Sequence, residues 1–119
     1  MKQTTLKEWQ EEACARFWED FRKWKFRCPA CGHEQSIQDF LDIGADPNSA
    51  FQDCIGRHMG KGSPVKGDSS GCNWAAYGFF GTMGKGRTVI MEDGKKVEVF
   101  AFAGEEGEEN GREDVQETE

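Results

Sequence analysis

Two cysteines separated by two residues and followed by glycine, Cys28-Pro-Ala-Cys31-Gly32, constrain this chain more than any other feature. That spacing lets both thiolates turn toward one ion at about 2.3 Å, and the glycine relieves crowding in the tight turn that results. One such pair supplies half of a tetrahedron. A common zinc ribbon completes it with a second pair, whereas this sequence offers single cysteines at Cys54 and Cys72. Cys28, Cys31, Cys54 and Cys72 are therefore the expected ligands of one closed Zn2+ site that ties three chain segments together. Nine of the fifteen glycines lie between Gly56 and Gly86, so the stretch joining Cys54 to Cys72 has little apolar content to fix its own ends. Metal binding supplies about 10 kcal/mol or more of folding free energy in small domains of this kind.

Other chemistries for the same residues fit less well. A redox Cys-x-x-Cys sits between a strand and a helix of a βαβ unit, and no such pattern surrounds this one. His33 and His58 are alternative ligands. His58, one helical turn past Cys54, is the better placed of the two, but both read more simply as solvated or supporting residues. Cys14 falls beside the aromatic stripe of a helix and reads as a small buried apolar side chain. The zinc-deaminase signature is absent, because His33 and Glu34 are adjacent and follow the cysteine pair. Gly56-Arg-His-Met-Gly60-Lys61-Gly62 is one residue short of a phosphate loop and lacks its Ser or Thr. No nucleophile–base arrangement stands out. The expectation is a domain that is not an enzyme and takes no small-molecule substrate.

The remaining pattern is mixed. Thr5 and Glu8 form a capping box, and Leu6, Trp9, Ala13, Phe17, Phe21 and Trp24 recur at steps of three and four, which predicts a helix over about 5–22. Lys23 to Arg27 alternates basic and aromatic residues as a strand does. Ser36 with Asp39 caps a short helix ending at Gly44, and Asp46-Pro47 opens another, on which Ala50, Phe51, Cys54 and Ile55 share a face. Cys72 to Phe80 reads as a strand. Arg87–Met91 and Lys95–Phe102 flank Asp93-Gly94, a hairpin turn signal. The fold class is α+β: a small zinc-stabilised domain with an N-terminal helix, a cysteine knuckle with two short helices, and a C-terminal three-stranded antiparallel meander.

Charge divides the chain in two. Of the 15 basic and 22 acidic residues, the last 16 positions hold one and eight, which leaves 14 of each before Gly104. Residues 104–119 have Val115 as their single large apolar residue and so read as a disordered acidic tail. The folded domain is expected over 4–103. The start, MKQTTLKEW, lacks the apolar region of a signal peptide, and no apolar run approaches the ~20 residues of a membrane span. A reducing cytoplasm is the implied setting, where five cysteines call for metal rather than disulfides.

The run Cys28-Pro-Ala-Cys-Gly-His33, with Asp39-Phe40, Cys54-Ile-Gly-Arg57 and Gly71-Cys-Asn-Trp-Ala-Ala-Tyr-Gly78, resembles a group of small uncharacterised, zinc-ribbon-like proteins encoded by bacteriophages and prophages. The resemblance covers roughly residues 22–103. It implies a phage or prophage origin, action in the bacterial host cytoplasm, and a grouping of Cys54 and Cys72 with the Cys28–Cys31 pair. Two functions from different classes follow. The first is a protein-interaction module acting on a host or phage machine. The second is a nucleic-acid-binding zinc domain that uses basic clusters around residues 22–27 and 57–87. Lys23, Lys25, Arg27, Arg57 and Lys61 are its candidate contacts, with Trp24 or Phe26 for base stacking. The neutral folded part favours the first.

Overall fold

The computed structural model describes residues 2–78 and 80–104; the acidic run from Glu105 onward lies outside them. The chain forms two helices and two small three-stranded sheets, an α+β arrangement. In chain order the regular elements are β1 (Lys2–Thr5), α1 (Leu6–Phe17), β2 (Lys25–Arg27), β3 (Glu34–Ser36), α2 (Ile37–Asp42), β4 (Arg87–Ile90), β5 (Lys96–Val99) and β6 (Ala101–Phe102). One sheet has the order β1-β4-β5 and the other β3-β2-β6.

Local signals set several of these elements as expected. Thr5 accepts a hydrogen bond from the Glu8 amide while the Glu8 carboxylate accepts from the Thr5 amide, so the capping box starts α1. Ser36 and Asp39 repeat the arrangement at α2. β4 and β5 form the expected hairpin, with Val89 opposite Val97 and the Met91 amide bonded to the Lys95 carbonyl.

Four expectations are corrected. α1 ends at Phe17 rather than near residue 22, because Trp18 adopts φ 90 and its amide bonds back to the Cys14 carbonyl. The helix expected after Asp46-Pro47 is a single 3-10 turn, Pro47–Ser49. Cys54, with ψ 136, is extended and caps a separate 3-10 turn, Ile55–Met59. Of the strand expected over Cys72 to Phe80, residues 72–78 form no part, and an isolated bridge between Ala75 and Asp53 is their β pairing among the described residues. The third partner of the β4–β5 hairpin is instead β1, which runs parallel to β4 with Lys2 opposite Arg87. Lys2-Gln-Thr-Thr5 has no apolar alternation to announce a strand, and its strand begins two residues before the expected domain edge.

The core forms where α1 packs across both sheets. Trp9 stacks on Phe26 and Phe102, with ring centroids 6.0 and 5.9 Å away, and meets Phe51 and Trp24 edge-on. Such pairs add about 0.5–1.5 kcal/mol each beyond their buried area. Phe26 of β2 and Phe102 of β6 are opposite one another in the ladder, so the aromatic cluster holds that sheet to the helix. After β5 the Phe100 amide bonds to the Phe51 carbonyl, and the chain passes from one sheet to the other.

The second tie is ionic. Arg87 of β4 is fully buried, lies 4.9 Å from the Phe102 ring centroid, and donates from both terminal nitrogens to the Glu12 carboxylate at 2.9 Å. Burial raises the Glu12 carboxyl, but hydrogen bonds from Arg87 and Arg16 outweigh it and hold it down at about 2. Glu12 therefore binds protons more weakly in the folded chain than in the unfolded one. Its contribution is complete above about pH 4.5 and is lost as pH falls toward 2. Breaking a buried ion pair from one side costs about 3–5 kcal/mol. Glu12→Gln is expected to lower stability by about 3 kcal/mol at pH 7, and urea unfolding should show that gap closing at pH 2–3. A gap independent of pH would contradict this role.

Candidate metal centre

The knuckle forms because its backbone closes on itself. The Cys28 amide bonds to the His33 carbonyl and the Gly32 amide to the Cys28 carbonyl, both at 2.9 Å. Gly32 takes φ 80, a left-handed conformation that suits glycine. Cys28 ends the β2 side of this turn and Cys31 sits in it, so both sulfurs face the same way. The other two come from segments joined by backbone. The Cys54 amide bonds to the Trp74 carbonyl and the Ala76 amide to the Gln52 carbonyl, on either side of the Asp53–Ala75 bridge.

Gln35, the first residue past Glu34 in β3, secures the Cys54 segment to the knuckle. Its buried side-chain amide donates to the carbonyls of Ala50 and Asp53, and its oxygen accepts from the Ile55 amide. Gly56 governs the approach of the fourth cysteine. A Cβ at this position would lie 2.5 Å from the Cys72 nitrogen and 2.7 Å from its oxygen, so only glycine lets Cys72 pass this close. Nothing in the spacing of the sequence singles out Gln35. Gly56, within Cys54-Ile-Gly-Arg57, carried a signal in its immediate neighbourhood to a nominated cysteine.

The four sulfurs of Cys28, Cys31, Cys54 and Cys72 all lie within 4.8 Å of one another. Cys28 and Cys72 are 3.8 Å apart, as are Cys31 and Cys54. A tetrahedron with metal–sulfur bonds of about 2.3 Å has edges of about 3.8 Å, so the donor set fits one ion at its centre. None of the five cysteines is in a disulfide. Cys28, Cys54 and Cys72 are buried and Cys31 is partly so. Backbone amides of Cys72 and Trp74 point at the sulfurs of Cys54 and Cys72 at 3.3 and 3.4 Å, which favours thiolates there.

Crowding of the thiols moves their protonation apart. The nearness of Cys28 lowers Cys54 below the usual thiol range, and the same interaction, reinforced by burial, pushes Cys28 well above it. Burial raises Cys72 to about 11. Adjacent negative charges resist coexisting in this pocket, and a bound divalent cation removes the conflict. Four thiolates around one ion leave no open coordination position, so the chemistry such a centre supplies is structural.

The remaining nominated residues lie elsewhere. His33 points to the 61–71 loop, its Nδ1 2.9 Å from the Ser69 carbonyl. The His58 Nε2 lies 2.9 Å from the buried Asp53 carboxylate, with its ring edge on Phe40. Cys14 packs against the aromatic core. The basic residues do not converge on one patch. Lys23 and Lys25 line a cleft with Arg16 and Trp18, whereas Arg57 lines a different one with Trp74, Tyr77 and Phe80. Arg27 faces Glu34 at 3.6 Å, and Lys61 donates to the Ser70 hydroxyl. Arg87, counted with the second basic cluster, is buried against Glu12. Trp24 and Phe26 are buried in the core and present no face for stacking; Trp18, 70 % exposed, and Phe21, 51 % exposed, are the rings that the described N-terminal region leaves in solvent.

A profile of the VVA0879-like family matches residues 5–103. The chain belongs to the VVA0879-like family. The matched span takes in all four clustered cysteines, both helices and five of the six strands. No curated protein and no solved structure matches it.

Replacing any one of Cys28, Cys31, Cys54 or Cys72 by Ser should remove most of the bound metal and much of the cooperative unfolding transition, since three segments lose their tie. Cys14→Ser should keep the metal and cost about 1–3 kcal/mol for a hydroxyl in apolar surroundings. Gly56→Ala should lower metal affinity although it removes no ligand. Metal content by elemental analysis, paired with a thermal melt, reads all six variants. Full metal retention in Cys72→Ser, or loss in Cys14→Ser, would overturn the assignment.

Proposed function

We propose that this protein is a non-catalytic protein-interaction module whose scaffold is one structural zinc ion held by Cys28, Cys31, Cys54 and Cys72. All-sulfur tetrahedral donor sets select zinc among the abundant divalent metals. The phage-type motifs support an origin in a phage or prophage and action on a host or phage machine in the bacterial cytoplasm.

The observation that carries the interaction reading lies beside the metal centre. The chain leaving Cys72 displays Tyr77 and Phe80 to solvent, 62 and 69 % exposed. Phe80 stacks on Trp74, whose indole donates to the Gly81 carbonyl. Arg57 closes the group, its guanidinium donating to the Asn73 carbonyl. Trp, Tyr and Arg are the residue types that dominate binding energy at protein interfaces. Here they sit on segments anchored by Cys54 and Cys72, so the surface is pre-organised and little ordering entropy is lost on binding.

Tagged full-length protein, used to capture partners from nuclease-treated bacterial lysate, tests the reading. Tyr77→Ala combined with Phe80→Ala should keep the metal and the melting temperature but retain less than a tenth of the captured partner. Tyr77→Phe, which keeps the ring, should behave as wild type. Capture unaffected by the double substitution would remove this surface from the account. Capture that occurs only from lysate left untreated with nuclease would favour the nucleic-acid reading through Lys23, Lys25, Arg27, Arg57 and Lys61.

A further inference from the structure

A second surface, independent of the first, lies where α1 ends. Arg16, Trp18, Arg22, Lys23, Lys25 and Gln38 are among the residues that line an open cleft of about 480 Å³. Arg16 pairs with Glu12 and Arg22 with Asp20. The ammonium groups of Lys23 and Lys25 form no ion pair among the described residues, and Lys23 acts on the Asp20 carboxylate only from a distance. Trp18 is held there by two backbone bonds, its amide to the Cys14 carbonyl and its carbonyl to the Trp24 indole. Its φ of 90 is a conformation that residues with a side chain rarely adopt. The result is a cationic cleft with a fixed aromatic rim.

The register of the second sheet shows where the described chain stops. β6 runs antiparallel to β2, with Ala101 opposite Arg27 and Phe102 opposite Phe26. The Ala103 amide then donates to the Lys25 carbonyl. The direction of travel is thus toward Trp24, Lys23 and Arg22. Gly104, with φ 88, lets the backbone turn off the sheet edge, and Glu105 and Glu106 follow at once. Residues 105–119 hold eight carboxylates against Arg112. At about 3.3 Å per residue, its first four acids, Glu105, Glu106, Glu108 and Glu109, lie within about 17 Å of extended chain from Gly104.

We propose that this cleft is the docking site of the chain's own acidic segment, residues 105–119. Charge complementarity selects the site, and tethering beside Lys25 gives the segment an effective concentration of order mM, which an untethered competitor must exceed. The other nominated cations are less suited. Arg57 and Lys61 already donate to the Asn73 carbonyl and the Ser70 hydroxyl. Occupation by the segment screens Lys23 and Lys25 from acidic ligands, and it is relieved by salt because the contacts are exposed.

Amide and indole proton–nitrogen spectra of the full chain test this against a full-length variant carrying Glu105→Gln, Glu106→Gln, Glu108→Gln and Glu109→Gln. Signals of Trp18 (indole included), Lys23, Lys25 and the Gln38 side chain should differ between the two proteins. Raising NaCl to 0.5 M should move the wild-type signals toward the variant's positions and leave the variant nearly unchanged. Coincident spectra, or differences centred on Arg57 and Lys61, would overturn the proposal. A 15-nucleotide deoxythymidine strand that shifts the cleft signals equally in both proteins would also overturn it, and would assign the cleft to single-stranded nucleic acid.

Discussion

Four sulfur atoms brought within 4.8 Å of one another set the terms for everything C-terminal to β2. The knuckle carries two of them and positions itself by its own turn. The other two arrive on segments that have almost no regular structure: a 3-10 turn after Cys54 and an irregular run after Cys72. Those segments cannot hold their ends by ladder bonds, and their glycine content offers little apolar area to bury. Gln35, the Asp53–Ala75 bridge and the close pass at Gly56 bring them together. A cation bound by the four thiolates would complete the arrangement by replacing mutual repulsion with four bonds.

The aromatic core and the metal centre are contiguous rather than separate. β2 contributes Phe26 to the stack around Trp9 and continues directly into Cys28. Phe51 packs on Trp9 three residues before Cys54, and its carbonyl receives the Phe100 amide at the crossing between sheets. Distortion at the centre is therefore transmitted to the core through β2 and the 50–55 segment. The Glu12–Arg87 pair works at the far side of α1, tying the helix to β4, so α1 is fixed by apolar contact on one sheet and by charge on the other. The Tyr77–Phe80 face and the Trp18 cleft are built on this frame.

Legibility in the sequence followed the range of the interactions. Capping boxes at Thr5 and Ser36, the Asp93-Gly94 turn and the four-cysteine grouping are set by neighbours or by strict donor chemistry, and all four were readable. Elements that depend on distant partners were not. β1 exists because β4 presents an open edge to a polar stretch, which no local pattern reveals. The 50–55 segment has a helical apolar spacing, yet Cys54 must extend to reach the other sulfurs, and the tertiary demand overrides the spacing. Cys72 to Phe80 reads as a strand, but the amides of Trp74, Ala76 and Gly78 are spent on the Cys72 sulfur, the Gln52 carbonyl and a tight turn. Arg87 looked like a surface cation because sequence does not show that Glu12, 75 residues earlier, would reach it.

The central claim is that all four cysteines bind one zinc ion and that no histidine does. X-ray absorption at the zinc edge of the purified full-length protein addresses it directly, since sulfur and nitrogen neighbours scatter differently and sit about 0.2–0.3 Å apart in distance. The account predicts a single shell of four sulfurs at about 2.3 Å, with no outer-shell signal from imidazole. A shell containing one or two nitrogens at about 2.0–2.1 Å, or protein isolated without stoichiometric zinc, would contradict it.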